Sequence, residues 1–436
     1  MIDKSQWQAK TGRMSTTTAE RSLLRDGNFA TFWTGQTISA LGAQLGLLAF
    51  PVLAVSLLGA TEMEVGALNA ASTAAFLVVG LPAGAWVDRW LKRRVMIAAD
   101  LVRMAAMAAV PLLWWLGVLA MWQLYVVAAV VGVATVFFDV SYQSIVPLLV
   151  RTSKVAEANA KLEGTAQVSR VGGPALGGGL LTIMGAPLLF LGEGLGYLLS
   201  AVFLWRTRVA EVPQPVADRR PLAAEIKEGL AFVVKHPLIS RIVLCTAGFN
   251  AFSTITFTLL PILVLRELGL GAGGLGLVLS VGAAGGLLGA LAAPWLGRVV
   301  GEGTLIPLSA LAGAVPLVLV PATLLAGSHG LALVMLVVAE FLASFATLVY
   351  NIMQVTMRQR VCPPRLLGRM NASIRFAVFG VMPLAALLAG LLGQSLGLAG
   401  ALWVAAAGGL LPPLAVFFSP LLGMKRLPDS VDPAHL

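Results

Sequence analysis

Charge is what this sequence has little of. Asp, Glu, Lys and Arg together make up only 11% of its 436 residues, about half the share usual in a soluble domain. Hydrophobic residues make up 58%. A water-soluble globule of that composition could not cover its apolar side chains with polar surface, so the chain reads as an integral membrane protein. Cysteine is scarce too. Cys245 opens an apolar stretch and Cys362 lies in a polar loop, so neither a disulfide framework nor a thiolate metal site is indicated. Ten-residue segments of alternating polarity, the mark of a membrane barrel, are missing, as is a glycine-rich nucleotide-binding loop. The first 28 residues lack an apolar core beside a cleavage site and read as a polar tail, not a signal peptide.

What is present is a series of apolar stretches long enough to cross a bilayer as helices. They fall near 29–58, 64–86, 95–117, 121–146, 160–184, 187–205, 240–265, 274–299, 304–326, 330–352, 370–393 and 397–420. The predicted fold class is therefore an all-α membrane protein of twelve transmembrane helices. Placing the 30 Lys and Arg residues on this scheme puts 26 of them on one side. Arg266 falls on the other side, and Arg103, Arg170 and Arg375 lie within spans. Basic loops stay cytoplasmic, so both termini are expected there. The net charge of +10 then reports topology, and no nucleic-acid partner is indicated.

The spans form two copies of six. Phe50-Pro51-Val52-Leu53 aligns with Leu260-Pro261-Ile262-Leu263, Gly59 with Gly269 and Gly66 with Gly276. With one residue dropped, Trp86 meets Trp295 and Arg89 meets Arg298; near the other end, Asn159-Ala160 meets Asn371-Ala372. The expected organisation is a tail (1–28), a six-helix bundle (29–205), a linker (206–239), a second bundle (240–421) and a tail (422–436). Leu222, Ile226, Leu230 and Val233 recur at helical spacing in the linker, predicting an amphipathic helix on the cytoplasmic surface.

Between the second and third spans, Gly84-Ala85-Trp86-Val87-Asp88-Arg89 is followed by Lys92-Arg93-Arg94. This short charged hairpin resembles the loop between helices 2 and 3 of the major facilitator superfamily of secondary transporters. Its glycine between Asp-Arg and the basic pair is absent here, and Gly297 replaces Asp88 in the second repeat. Gly173-Pro174-Ala175-Leu176-Gly177-Gly178 resembles part of a motif of the superfamily's exporters, a surface of small residues on which helices can slide. Phe29-Ala30-Thr31-Phe32-Trp33, Phe138-Asp139-Val140-Ser141-Tyr142, Glu157-Ala158-Asn159-Ala160 and Gly368-Arg369-Met370-Asn371 are similar to bacterial exporters related to the enterobactin exporter and macrolide-efflux proteins. The resemblance implies two pseudo-symmetric bundles around a central cavity. It also implies a gating loop in which Asp88 meets the start of the eleventh span near Arg369, with Arg89, Arg93 and Arg94 adding contacts.

Ionisable residues within spans are costly and therefore functional candidates. Asp139 and Arg170 lie at similar depth on consecutive spans, so an ion pair is expected, weighed against separate hydration. Glu193 and Glu340 are proton-coupling or substrate candidates; for Glu193 the alternative is a hydrogen bond to Tyr197 at i+4. Asp100 and Arg103, spaced i,i+3, suit a structural pair, and Arg375 suits a helix end. Gln36, Gln44, Asn250, Asn351 and Gln354 are candidate polar residues of the cavity, or interhelical glue. The expected activity is export of amphipathic organic molecules by alternating access, driven by a proton gradient, from a bacterial cytoplasmic membrane. The expected partners are a small-molecule substrate, protons and the lipid bilayer, with no cofactor, no metal and a monomeric state. An importer of the same fold, a non-transporting receptor or scaffold, and a lipid flippase are the alternatives.

Overall fold

The computed structural model describes residues 23–87, 90–151, 154–209, 211, 231–363 and 367–426. The first half contains α1 (Gly27–Val52), α2 (Glu62–Val78), α3 (Lys92–Trp115), α4 (Met121–Leu149), α5 (Val155–Ile183) and α6 (Ala186–Arg206). The second contains α7 (Pro237–Ile262), α8 (Gly271–Val300), α9 (Glu302–Ala314) and α10 (His329–Val361). The last long helix, Leu367–Gly409, is broken at Gly397 (φ 71°, ψ 168°) into α11 before it and α12 after it.

Nine helices of the described residues are long and apolar enough to span a membrane. The break at Gly397 divides one of these into α11 and α12. The other two of the twelve depart from the simple pattern. α2 is kinked at Val79 and resumes as Gly80–Val87, and α5 carries Glu157, Lys161, Glu163 and Arg170. α9 continues through short turns of mixed pitch to Leu325, because Pro316 and Pro321 remove two of its N–H donors.

Local sequence accounts for several helix starts. Thr61 accepts from the Glu64 N–H (3.3 Å) while Glu64 accepts from the Thr61 N–H (2.8 Å), a reciprocal cap on α2. Ser328 accepts from the Leu331 N–H to start α10 (3.2 Å). Of the predicted linker helix, residues 221–230 lie outside the described residues, and 231–235 are helical.

The repeat read from the sequence is also a repeat of backbone. α1 widens into a π-helical turn at Leu53–Leu57 just after Pro51, and α7 does so at Leu263–Glu267 just after Pro261. Each turn ends in a left-handed glycine, Gly59 (φ 64°) and Gly269 (φ 60°). Each is closed by the same bond, Ala60 N–H to Ala54 O (2.8 Å) and Leu270 N–H to Val264 O (2.9 Å).

The halves meet along two seams, α2 on α11 and α5 on α8, which the repeat relates to one another. At the first, Gly66 lies on the Ala386 carbonyl and Gly390; at the second, Gly276 lies on the Pro174 carbonyl and Gly178. Both contacts sit toward the end of the molecule that carries the loop joining α1 and α2. Three polar contacts reinforce that end: Asn69 Nδ2 donates to Thr258 Oγ1 (2.6 Å), Arg266 Nη2 donates to the Ala60 carbonyl (2.5 Å), and Arg266 stands 3.9 Å from Glu62.

The apolar core follows the same division. Toward the seams it is continuous across both halves, with Leu48, Leu68 and Phe190 packed in one cluster with Leu259, Leu275 and Leu336. Toward the N-terminal end each half has its own core: Phe32, Met96 and Ile145 in the first, Ile242, Leu305 and Met357 in the second. Among the described residues the two halves share one core at one end and have separate cores at the other.

Candidate functional site in the cavities between the halves

Four cavities run from the divided end (innermost) to just beneath the seams (outermost); three are lined by both halves and the second by the first half alone. The innermost, about 270 Å³, is lined by Phe76 and Gly80 of α2 and its continuation, Asp139 and Gln143 of α4, and Arg375 and Phe379 of α11. The next, of similar size, takes Gln36, Arg103, Asp139, Arg170 and Tyr197. The third, about 330 Å³, takes Gln44, Arg170, Phe257, Glu340 and Ser344. The outermost, again about 330 Å³, is lined by Gly46, Phe50, Asn69, Glu193, Phe257 and Thr258. Consecutive cavities share walls: Asp139 serves the first two, Arg170 the second and third, Phe257 and Leu279 the last two. Each alone is at the small end for an organic ligand.

The structure brings all four ionisable site residues predicted from the sequence to this series. Arg170 lies about 22 Å along α5 at 1.5 Å per residue and is exposed to the two middle cavities. Glu340 on α10 is 3% exposed and Oε1 has no hydrogen-bond partner among the described residues. It packs on Gly282 of α8 and faces the same cavity as Arg170. A guanidinium and a carboxyl from opposite halves thus line one chamber.

The expected Asp139–Arg170 ion pair does not form. Neither side chain makes a hydrogen bond or ion pair among the described residues, although both line the second cavity. Depth was matched correctly, but α4 packs on α2 and α3 and scarcely touches α5. The cations that act on Asp139 are Arg103 and Arg375, and Arg375 shares the innermost cavity with it from the second half. The helix-end role expected for Arg375 is replaced by a place in the cavity wall.

Arg103 is the residue that sequence reasoning undervalued. It forms the expected ion pair with Asp100, but its guanidinium is also held between the rings of Phe138 (4.1 Å) and Tyr197 (4.3 Å) while lining the second cavity. Tyr197 donates to Glu193 Oε1 (2.7 Å), the i+4 bond expected. Glu193 Oε2 is without a partner among the described residues and lies where a side chain on Gly46 would go, at the wall of the outermost cavity. A buried polar group joins two cavities through α3 and α6. The i,i+3 spacing signalled the ion pair; the aromatic clamp comes from helices distant in sequence.

Of the polar candidates, Gln36 and Gln44 line cavities, whereas Asn250, Asn351 and Gln354 line none of the four. Gln354 is buried in its own half with Oε1 unpartnered among the described residues. The small-residue run on α5 divides its faces. Gly173 and Gly177 lie against Gln44, Leu45 and Leu48 of α1, while Pro174 and Gly178 face α8.

Asp88 and Arg89 of the gating loop lie outside the described residues. Gly84 is in the helical continuation of α2 and Arg369 is in the first turn of α11; the Arg369 side chain is also outside them. Arg93 does not reach across the halves. Its Nη1 donates to the Thr207 carbonyl (2.7 Å) and its N–H to Glu211 Oε1 (2.9 Å). Glu211 thereby caps the positive end of α3 and ties it to the end of α6. This contact spans 118 residues of sequence and has no local signal. Among the described residues no cluster of His, Cys, Asp and Glu could hold a metal.

Comparison with known proteins agrees with this architecture. A profile of the family described as transmembrane secretion effector matches residues 18–433. An uncharacterised MFS-type transporter of Bacillus subtilis (strain 168) is 27% identical over 50% of this chain and 52% of its own length. Macrolide efflux protein A of Streptococcus pyogenes is 23% identical over 47% and 50%. The chain thus spans about half the length of the curated relatives it matches. Among solved structures, a bacterial homologue of the iron transporter ferroportin in its inward-facing state superposes with a TM-score of 0.72. It is 18% identical and covers 91% of this chain and 99% of that one. The outward-facing state of such a homologue gives 0.54 at 17% identity, over 89% and 98%. This multi-pass membrane protein belongs to the transmembrane secretion effector family of the major facilitator superfamily.

Proposed function

We propose that this transporter exports amphipathic organic molecules from the cytoplasm of a bacterium, exchanging them for protons by alternating access. The observation that carries the reading is the placement of Asp139 and Arg375, and of Arg170 and Glu340, on cavities lined by both halves, which share one core at one end and have separate cores at the other. Ionisable groups in a membrane interior persist where they bind charge, and here they stand beside apolar walls made by Phe76, Phe257, Phe379 and Leu47. Apolar walls with few charges suit an amphipathic organic cargo. The efflux function named for the Streptococcus pyogenes relative points the same way.

Both termini lie in the cytoplasm on this reading, so the open end faces inward and the seams close the outside. The higher similarity to the inward-facing ferroportin homologue supports that assignment. Cargo enters past Asp139 and Arg375 and settles near Arg170 and Glu340. The halves then rock about the seams, with Gly178 and Gly276 as the sliding surface and the paired π-turns as hinges. Asp88 meets the positive end of α11 near Arg369 to close the inside. A proton taken from outside by Glu340 or Glu193 resets the carrier.

The test is flux in vesicles holding the purified protein under an imposed pH gradient, with a fluorescent lipophilic dye as cargo. Export requires that dye move against the inward proton flow, and that Asp139→Asn or Glu340→Gln uncouple the two. Movement of dye with the protons would establish an importer. Full activity in both variants would overturn the assignment of these carboxylates.

A further inference from the structure

A further groove, about 890 Å³, is not between the halves. It lies on the outer flank between α3 and α4, walled by Val95, Ala98 and Val102 on one side and Val130 and Val133 on the other, with Phe137 beneath. We propose that this groove holds one acyl chain of an anionic glycerophospholipid whose phosphate is bound by Arg94. The inference is independent of the transport reading.

Ala98, Ala99, Ala129 and Ala134 line the cleft and leave open the space that larger side chains would fill. From Arg94 to Val102 it runs about 12 Å along α3. Val102 and Val130 remain exposed beside it, so this flank faces lipid. The mouth is marked by two half-exposed indoles, Trp86 and Trp90, whose rings stack on Phe137 at 6.1 and 6.2 Å. Tryptophan in this setting sits at headgroup depth.

Arg94 stands at that mouth, exposed, with no hydrogen bond or ion pair among the described residues. Its neighbour Arg93 is already engaged by Thr207 and Glu211. A guanidinium matches phosphate oxygens in a two-pronged geometry, and basic residues beside membrane helices attract anionic headgroups. An acyl chain gains no hydrophobic free energy by leaving the bilayer core for an apolar groove. Selection therefore comes from the headgroup charge, while the groove contributes close packing. A zwitterionic lipid, whose ammonium offsets its phosphate, binds less well.

The experiment is native mass spectrometry of the full chain in detergent, titrated with phosphatidylglycerol or phosphatidylcholine. One phosphatidylglycerol is expected to be retained at least fivefold better than phosphatidylcholine. Arg94→Gln should erase that preference and Arg94→Lys, which keeps the charge but not the two-pronged geometry, should keep only part of it. Ala98→Phe, which plugs the groove and leaves Arg94 in place, should lower phosphatidylglycerol retention severalfold. Val102→Trp, at an exposed position, serves the same purpose if Ala98→Phe does not fold. Equal retention of the two lipids, or an unchanged preference in Arg94→Gln, overturns the proposal. So does undiminished phosphatidylglycerol binding in the plugged protein, which would mean a headgroup on a basic surface with no chain in the groove.

Discussion

Gly276 of α8 lies against Gly178 of α5 so closely that a Cβ on Gly276 would stand 3.1 Å from the Gly178 Cα, and closer still to the Pro174 carbonyl. Neither neighbour is a flexible side chain that could move aside. Overpacking a fixed contact costs about 1–3 kcal/mol, and here the halves can relieve it by parting. Gly276→Leu is therefore expected to hold the seam open and stop transport. A cysteine introduced beside the seam should label faster from that side, and Gly66→Leu should do the same at the related seam.

Arg266 links the halves at the same end. The side chains of Arg266 and Glu62 are 36% and 25% exposed, so solvent weakens the ion pair to under about 1 kcal/mol. The bond from Arg266 to the Ala60 carbonyl adds on the order of 1 kcal/mol. Arg266→Ala should therefore shift the balance toward separated seams by roughly five- to tenfold. Glu62→Ala should shift it less, because the carbonyl partner remains. Spin-label distances across the seam would measure both.

Asp139 and Glu340 line different cavities, and their neutral amides are expected to differ in effect. Glu340→Gln keeps the shape of a buried side chain with an unpartnered oxygen. It should fold normally, bind cargo, and lose the pH dependence of flux. Asp139→Asn leaves Arg103 and Arg375 without the carboxylate that faces them, and should weaken proton-driven exchange while strengthening retention of anionic dyes. Flux against pH, with dye binding measured in parallel, distinguishes the two.

Asp100 and Arg103 form a buried pair, 0% and 5% exposed. Removing one partner leaves an uncompensated charge, at a cost of about 3–5 kcal/mol, whereas replacing both with apolar residues is often neutral. Asp100→Leu alone should destabilise the protein strongly. Asp100→Leu with Arg103→Met should recover most of the loss in a thermal unfolding assay. A double variant no better than the single would contradict this account.

Glu157, at the start of α5, accepts a hydrogen bond from the Leu23 N–H (3.2 Å) and pairs with Lys154 (3.1 Å). These contacts, the backbone bond first, hold its carboxyl below the ordinary value. A depressed folded pKa gives stabilisation that is present above the ordinary carboxylate range, about 4.3, and lost as pH falls through the lower folded value. Glu157→Gln should therefore flatten the acid side of the stability profile below about pH 4.3, read from unfolding midpoints.

The repeat was legible because it is written in residues that constrain backbone: Pro51 with Pro261, Gly59 with Gly269, Gly66 with Gly276. Their structural consequences, matching π-turns and matching seams, are local. The Asp139–Arg170 pair was not legible. Counting residues along a helix gives depth, but each residue also turns the side chain by about 100°, and which face meets which neighbour depends on packing. Arg103 and Arg375 were read as structural for the same reason, since their partners Phe138, Tyr197 and Asp139 come from other helices.

The amino-acid sequence alone determined that this chain spans a membrane as helices, in two related sets of six, because apolar length and glycine and proline positions act on neighbouring residues. Only the tertiary structure decided which charges share a cavity, that Arg93 ties one half to itself, and that the halves close at one end while keeping separate cores at the other. Those outcomes depend on helix rotation and on contacts between residues more than a hundred positions apart, where chain order exerts no local force.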